Sequence, residues 1–484
     1  MQNINQSIEL SVANKITDPR QCLSWVTEIN DAYRALDRPR QGATQVVDLK
    51  LRTILWRSRV LSHLLTRPPS WALTSPELLA RILSALNIYL TAEQQELAAG
   101  LLGPAEFAGL LANQGIIPEG HPELWQTSGP GINLNIVANR SSSWPFHKWR
   151  RNSRFGRYQP SGEGVRYRGV DFLPGDVLLA NVNLDGNGIY TSLSDPRSFS
   201  SHSAFFAVLE HAGGRFPVVI ETYEKGVRPV PLNVFLGPRF CSYIEVYRHQ
   251  QYSAPHAAMI NEIAAEFVDN VRGYNFDSED KDPTYMSCTA VGRFLHQQAG
   301  LTPARTMSKL HHPKVQTNLS KLGYTYFDFF APVDFLLNDC FSFAGRIDNN
   351  QIDRLLAREL VDQEFRRQFM ERELDPGRFS FPYQLNRWGL SHMRRNTVIG
   401  KAIGLVEGFD QHNLPRGPDD LLAVIKIAEK EIGAVIAKTR TAVEKTMTGH
   451  DNPDLEELMN NPELNSVVES LLNLSWLPRN KHRS

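Results

Sequence analysis

Three side chains in the middle of the chain, Cys288, His202 and Glu221, are of the types that transfer acyl groups. A thiolate attacks a carbonyl carbon, an imidazole takes and returns the proton, and a carboxylate fixes the imidazole tautomer. Cys288 stands in Asp282-Pro-Thr-Tyr-Met-Ser-Cys-Thr-Ala-Val-Gly-Arg-Phe-Leu-His-Gln-Gln-Ala-Gly300. Ser287 or Thr284 can cap a helix start here, and Gly300 fits its stop. Val291, Phe294, Leu295 and Ala299 recur at helical spacing, so one face packs into a core. Cys288 then lies in the first turn, where aligned peptide dipoles and unpaired N–H groups favour a thiolate. His296 lies two turns further on, about 12 Å at 1.5 Å per residue, too far to serve as the base.

The base must come from elsewhere, and a hairpin upstream offers it. Ser201 to Leu209 and Phe216 to Thr222 are rich in aromatic and β-branched residues, with Gly213-Gly214 between them. A turn centred between residues 211 and 212 would make His202 and Glu221 direct cross-strand partners, with Cβ atoms about 4.5–5.5 Å apart. His211 would face solvent at the turn, and His147 lies in a distant basic loop. Glu224 is an odd number of residues from Glu221 and would face the other side of a continuing strand. The hydroxyl of Tyr274 or Tyr285, with the Cys288 backbone N–H, could receive an oxyanion; a packed ring with a satisfied hydroxyl is the other reading of each.

The 484 residues suffice for two or three domains. Lys plus Arg (52) equals Asp plus Glu (52), so no global field draws the chain to nucleic acid or membrane. Cysteines at 22, 241, 288 and 340 have no ligand-like spacing, which argues against a disulfide scaffold or a zinc site and fits a reducing compartment. Asp185-Gly-Asn-Gly188 lacks the twelve-residue calcium pattern ending in Glu, so neither metal nor cofactor is expected. Met1 to Leu10 does not read as a secretory signal, and no run approaches the roughly 18–20 apolar residues that span a bilayer. A cytoplasmic location is expected, with signal-independent export left open.

Four regions follow from the pattern. Residues 1–120 read as helical: Ser75-Pro76-Glu77 starts one helix, Thr91-Ala-Glu-Gln94 is a capping-box pattern, and Pro104 to Asn113 is another helix. Residues 121–172 are a linker. It carries Trp144-Pro-Phe-His-Lys-Trp-Arg-Arg151, where bases interleave with aromatics. That segment is either a solvated loop or a contact for an anionic lipid or acyl carrier. Residues 173–345 hold the strands and the cysteine helix. Asp176 reads as a turn acid, and Cys241 as a small apolar strand residue. Residues 346–484 are helical again, with one helix through Ile352, Leu355, Leu356, Leu360 and Phe365 and a longer one from Pro418 to Gly449. These helices could pack into the core, cover the cleft or form a homodimer.

The order His, Glu, Cys is also a family order. The chain resembles the circularly permuted papain-like amidases and peptidases of the NlpC superfamily, the YiiX/YaeF-like enzymes. The matching residues are Leu173-Pro-Gly-Asp-Val-Leu-Leu179, Ser201-His202, Val219-Ile-Glu221, Gly226-Val227, Pro231-Leu232, Gly273-Tyr-Asn-Phe276, Tyr285-Met-Ser-Cys288 and Ala331-Pro-Val-Asp-Phe-Leu336. They span roughly residues 165–345. The resemblance implies an α+β fold: a permuted papain-like core with an antiparallel sheet and a nucleophile helix, flanked here by helical regions. It implies thiol acyl chemistry at Cys288, His202 and Glu221. The family often has Cys-Ser-Glu-Leu-Val where this chain has Cys288-Thr-Ala-Val-Gly292, and the gap between Tyr274 and Cys288 is acidic here.

The expectation is a cysteine-dependent acyl-transfer enzyme, an amidase-like hydrolase or an acyltransferase, acting through a thioester on an amide, ester or thioester borne by a peptide, lipid or acyl carrier. The competing expectation is a papain-like module that has lost catalysis and binds partners through its helical arms.

Overall fold

The structure, a computed structural model, describes residues 16–35, 43–115, 158–183, 188–211, 214–276, 282–407, 409, 413–449 and 454–472. The first ten and last six residues, the basic-aromatic segment with His147, residues 185–187 and Asp277, Glu279 and Asp280 lie outside them.

Strands β1 (Gln159–Ser161), β2 (Gly164–Tyr167) and β3 (Val170–Phe172) form a small antiparallel sheet. The main sheet is built from β4 (Val177–Val182), β5 (His202–His211), β6 (Gly214–Tyr223), β7 (Gly226–Pro231), β8 (Cys241–His249) and, after the short parallel pair β9 (Gly273–Tyr274) and β10 (Tyr285–Met286), β11 (Phe341–Asp348). Its order is β11-β8-β4-β5-β6-β7, antiparallel throughout. Every residue of β4 is buried, as a central strand covered on both faces requires. The sheet thus continues past 345, and β1–β3 precede 173. Gly273-Tyr274, which reads as a turn in the sequence, is extended and paired with Tyr285-Met286.

Alternation along β5 and β6 divides the core. Phe205, Ala207, Val218 and Ile220 pack against helix Ala254–Asn270 and helix Cys288–Gln298 through Ile260, Phe267, Val291 and Leu295. Phe206, Val208 and Val219, of opposite parity, pack with Phe172, Val230 and Phe235. The direct pairing of His202 with Glu221 is corrected by the register. His211 pairs with Gly214 and Phe205 with Ile220, so the hairpin turns one residue later than expected. The loop is shorter because Gly214 already belongs to β6. The slip moves the partner by two residues and preserves parity. His202 and Glu221 therefore stay on one face as diagonal neighbours, a separation that long side chains bridge.

Counting the principal helices, α1 (Pro19–Ala35), α2 (Ala43–Thr66), α3 (Pro76–Leu86), α4 (Ala92–Leu101) and α5 (Pro104–Asn113) precede the sheet. The Thr91–Gln94 capping box forms in both directions. Helix α2 is bonded to the sheet by buried charges: Arg57 Nη1 to Asp348 Oδ2 at 3.0 Å, and Lys50 Nζ to Glu245 Oε2 at 2.7 Å. The other Glu245 oxygen accepts from Tyr33 of α1 at 2.5 Å. Helices α6 (Ala254–Asn270) and α7 (Cys288–Gln298) are those against the sheet, and α8 (Ile352–Glu371), α9 (Phe381–Arg394), α10 (Val398–Glu407) and α11 (Asp419–Gly449) follow it. The apolar stripes of α8 and α11 meet in one cluster that also contains Tyr274, Phe276 and Cys288. Among the described residues no helix is long and apolar enough to cross a membrane.

Candidate active site

Cys288 is the first residue of α7, capped by Ser287, whose hydroxyl accepts from the Ala290 N–H at 3.2 Å. Gly300 follows the helix with φ of +76°, a left-handed conformation that suits glycine. His202 is the first residue of β5, and its Nε2 lies 3.0 Å from Glu221 Oε2. The thiol is hydrogen-bonded to the His202 ring and receives the Ser203 backbone N–H. All three side chains are buried.

Their protonation follows from these contacts. Burial alone would raise the Cys288 pKa. The bond and charge of His202, with smaller help from Tyr274 and the Ser203 N–H, bring it below the ordinary thiol value. Burial alone would lower the His202 pKa, but its bonds to Cys288 and Glu221 raise it to about 9. These contacts favour the thiolate and the imidazolium over the neutral pair. Burial pushes the other thiols the opposite way: Cys22 up to about 11, and Cys241 and Cys340 upward as well.

Glu221 has a second partner that the sequence reading missed. Arg228 faces it directly across β6 and β7 and donates from Nε to Oε1 at 2.6 Å. Burial would raise the Glu221 pKa; Arg228 and then His202 outweigh it and hold the carboxyl below its usual value. Arg228 also lies over the Tyr223 ring, 4.3 Å from its centroid. The signal for it was the pair Glu224-Lys225, a two-residue turn that places 228 opposite 221. Glu224 itself is exposed.

Tyr274 reaches the thiol and Tyr285 is placed differently. The Tyr274 hydroxyl accepts from the Cys288 backbone N–H at 3.4 Å and donates to Sγ at 3.5 Å. Tyr285, one residue before the inward Met286 of β10, lies under the Arg416 guanidinium at 4.1 Å and does not line the cleft. His296 is a buried ring whose Nε2 bonds the Gly175 carbonyl oxygen at 2.9 Å, and burial lowers its pKa to about 4. Asp176 accepts the Leu173 N–H at 2.8 Å and pairs with Arg248 at 2.7 Å, the bonds of a turn acid.

The cleft at the thiol measures about 40 Å³ and is walled by Thr191, Ser201, Tyr274, Phe276, Phe329 and Phe330. That volume holds a few water molecules. Thr289, at a departure from the family pattern, donates to the Phe330 carbonyl oxygen at 2.7 Å and ties that wall to α7. Residues 413–418 brace the other side: Arg416 N–H bonds Tyr274 O at 2.9 Å, and Phe276 N–H bonds Arg416 O at 3.0 Å.

A helix delivering a cysteine to the end of an antiparallel sheet, with the imidazole strand ahead of it in the chain, makes this a permuted papain-like domain of α+β class. A family model described as permuted papain-like amidase enzyme, YaeF/YiiX, C92 family, matches residues 171–341. The match supports a cysteine hydrolase of the amidase or peptidase kind, with an amide-bearing substrate. No curated protein and no solved structure matches the chain.

Proposed function

We propose that the protein is a cysteine-dependent amidase in which Cys288 is the nucleophile, His202 the acid and base, and Glu221, held by Arg228, the group that orients the imidazole. The observation that carries this reading is the chain of contacts from Arg228 through Glu221 and His202 to a thiol at a helix N-terminus. The thiolate adds to the amide carbon, and the carbonyl electron pair moves to oxygen. In the resting site the Cys288 N–H donates to the Tyr274 hydroxyl and that hydroxyl donates to Sγ; with substrate in place these two groups beside the thiol are the donors for that oxyanion. As the C–N bond breaks, the imidazolium gives its proton to the departing amine. Water then adds to the thioester and loses its proton to His202, and the C–S bond breaks. Acid and amine are released, and the thiolate and imidazolium are restored.

An amine or alcohol in place of water would make the same site an acyltransferase. The narrow cleft favours neither acceptor, and we infer hydrolysis from the amidase family of the matched segment. The test is amine release from a panel of acyl-amide substrates by wild type and by Cys288→Ala. Release by wild type and none by the variant supports the reading. Equal release by both, or none by either together with a Cys288 inert to alkylation, supports the binding-module alternative.

A further inference from the structure

Helices α9 and α10 turn their apolar faces outward. Seven of the twelve large hydrophobic side chains exposed among the described residues lie on this one hairpin: Phe381, Leu385, Trp388, Val398, Ile399, Leu405 and Val406. On α9, Phe381, Leu385 and Trp388 recur at helical spacing along one stripe, while Tyr383 and Leu390 face the protein. On α10 the arrangement is inverted relative to a core helix. Its buried residues are Gly400 and Gly404. A Cβ at Gly400 would meet the His392 carbonyl oxygen at 2.1 Å, and one at Gly404 the Phe409 oxygen at 2.8 Å. Gly400 lets the helix lie against the backbone of α9, Ile403 packs over Gly389, and Val398, Ile399, Leu405 and Val406 face out. Val398, Leu405 and Val406 are 85%, 82% and 86% exposed. Such a patch on one surface marks an interaction site.

Charge identifies the partner. The chain has no acidic residue between Asp375 and Glu407, and Glu407 is paired with Lys426 at 2.8 Å. Arg387 and Arg394 are paired with Asp420 and Asp419, both at 2.6 Å. Arg395 and Lys401 remain, exposed and without a carboxylate partner among the described residues. The face therefore presents aliphatic and aromatic side chains beside uncompensated positive charge. These are the features of an element that lies in the headgroup layer of an anionic bilayer. A second copy fits less well, because a two-fold pair would set the unpaired Arg395 and Lys401 against a surface of the same sign. We propose that the α9–α10 hairpin docks the protein on anionic lipid bilayers. Arg394 also bonds the Pro415 oxygen at 3.3 Å, so the docked hairpin is tied to the segment that braces Tyr274.

The test is flotation of the full chain with vesicles of phosphatidylcholine, with and without phosphatidylglycerol. Wild type should float with the anionic vesicles and lose binding as salt is raised. Leu405→Ser with Val406→Ser should abolish flotation, and Arg395→Gln with Lys401→Gln should lower it by about an order of magnitude. Leu73→Ser, an exposed leucine on another helix, should float like wild type, and so should Cys288→Ala, because docking does not depend on the chemistry of the thiol. Thermal unfolding reports whether each variant is folded. Absence of flotation with anionic vesicles, flotation unaffected by the hairpin substitutions, or its loss in Leu73→Ser overturns the proposal. So does a wild-type dimer that Leu405→Ser with Val406→Ser converts to monomer without any lipid binding, since a second copy would then be the occupant.

Discussion

Glu221 holds His202 with one oxygen, at 3.0 Å, and Arg228 with the other, at 2.6 Å. The carboxylate is buried, so its charge is tolerable only with both partners in place. Arg228→Leu leaves it half-paired. The variant is expected to lose about 3 kcal/mol of stability and to let the imidazole reorient, lowering kcat more than it raises KM. Denaturant unfolding and steady-state kinetics check the two effects separately.

The pH window of the thiolate is set by the same contacts. His202 titrates at about 9 because its cation is favoured, and Cys288 titrates below its usual value because its anion is favoured. Alkylation of Cys288 should therefore persist to lower pH than that of an ordinary thiol, and the alkaline limb of activity should fall near 9. Glu221→Gln removes a group that favours the imidazolium. The His202 pKa then falls toward its ordinary 6.5 or so, the thiol pKa rises, and the window narrows from both sides. A pH–activity profile of the variant with an unchanged alkaline limb would contradict this account.

Iodoacetamide should separate the four cysteines at neutral pH. Cys288 should be alkylated first, because burial pushes Cys22, Cys241 and Cys340 upward, whereas at Cys288 the His202 imidazolium, helped by Tyr274 and the Ser203 N–H, outweighs burial. Peptide mapping after brief labelling reads the order. His202→Ala should bring Cys288 into line with the other three.

Tyr274→Phe removes one of two donors aimed at the oxyanion. A loss of about 10²–10³-fold in kcat is expected, with little change in KM. Folding should be barely affected, since the hydroxyl's bond to the Cys288 N–H is long at 3.4 Å. Tyr285→Phe should leave kcat near wild type, because that ring lies under Arg416 rather than beside the thiol.

Helix ends and inward stripes were legible in the sequence because local chemistry sets them. Ser287, Thr91 and Pro76 mark helix starts that the structure reproduces, and the Ile352 and Leu421 stripes are the residues that meet in the core. The register of β5 with β6 was less legible. Two adjacent glycines admit more than one turn, and the two-residue difference preserves side-chain parity, so periodicity does not detect it. Arg228 was missed because an arginine in an edge strand reads as solvated; its role appears only once β7 is laid beside β6. The α9–α10 hairpin was missed for a related reason. Its apolar residues are not core, and its buried positions on α10 are glycines, so the pattern that identifies an inward face points outward.

The most direct measurement is intact-mass spectrometry after rapid mixing with acyl-amide donors, followed by peptide mapping. An acyl increment on the peptide carrying Cys288, present in wild type and absent in Cys288→Ala, is the predicted result. Turnover of a donor that persists in Cys288→Ala, or an acyl group found on another residue, would contradict the assignment of Cys288 as the nucleophile.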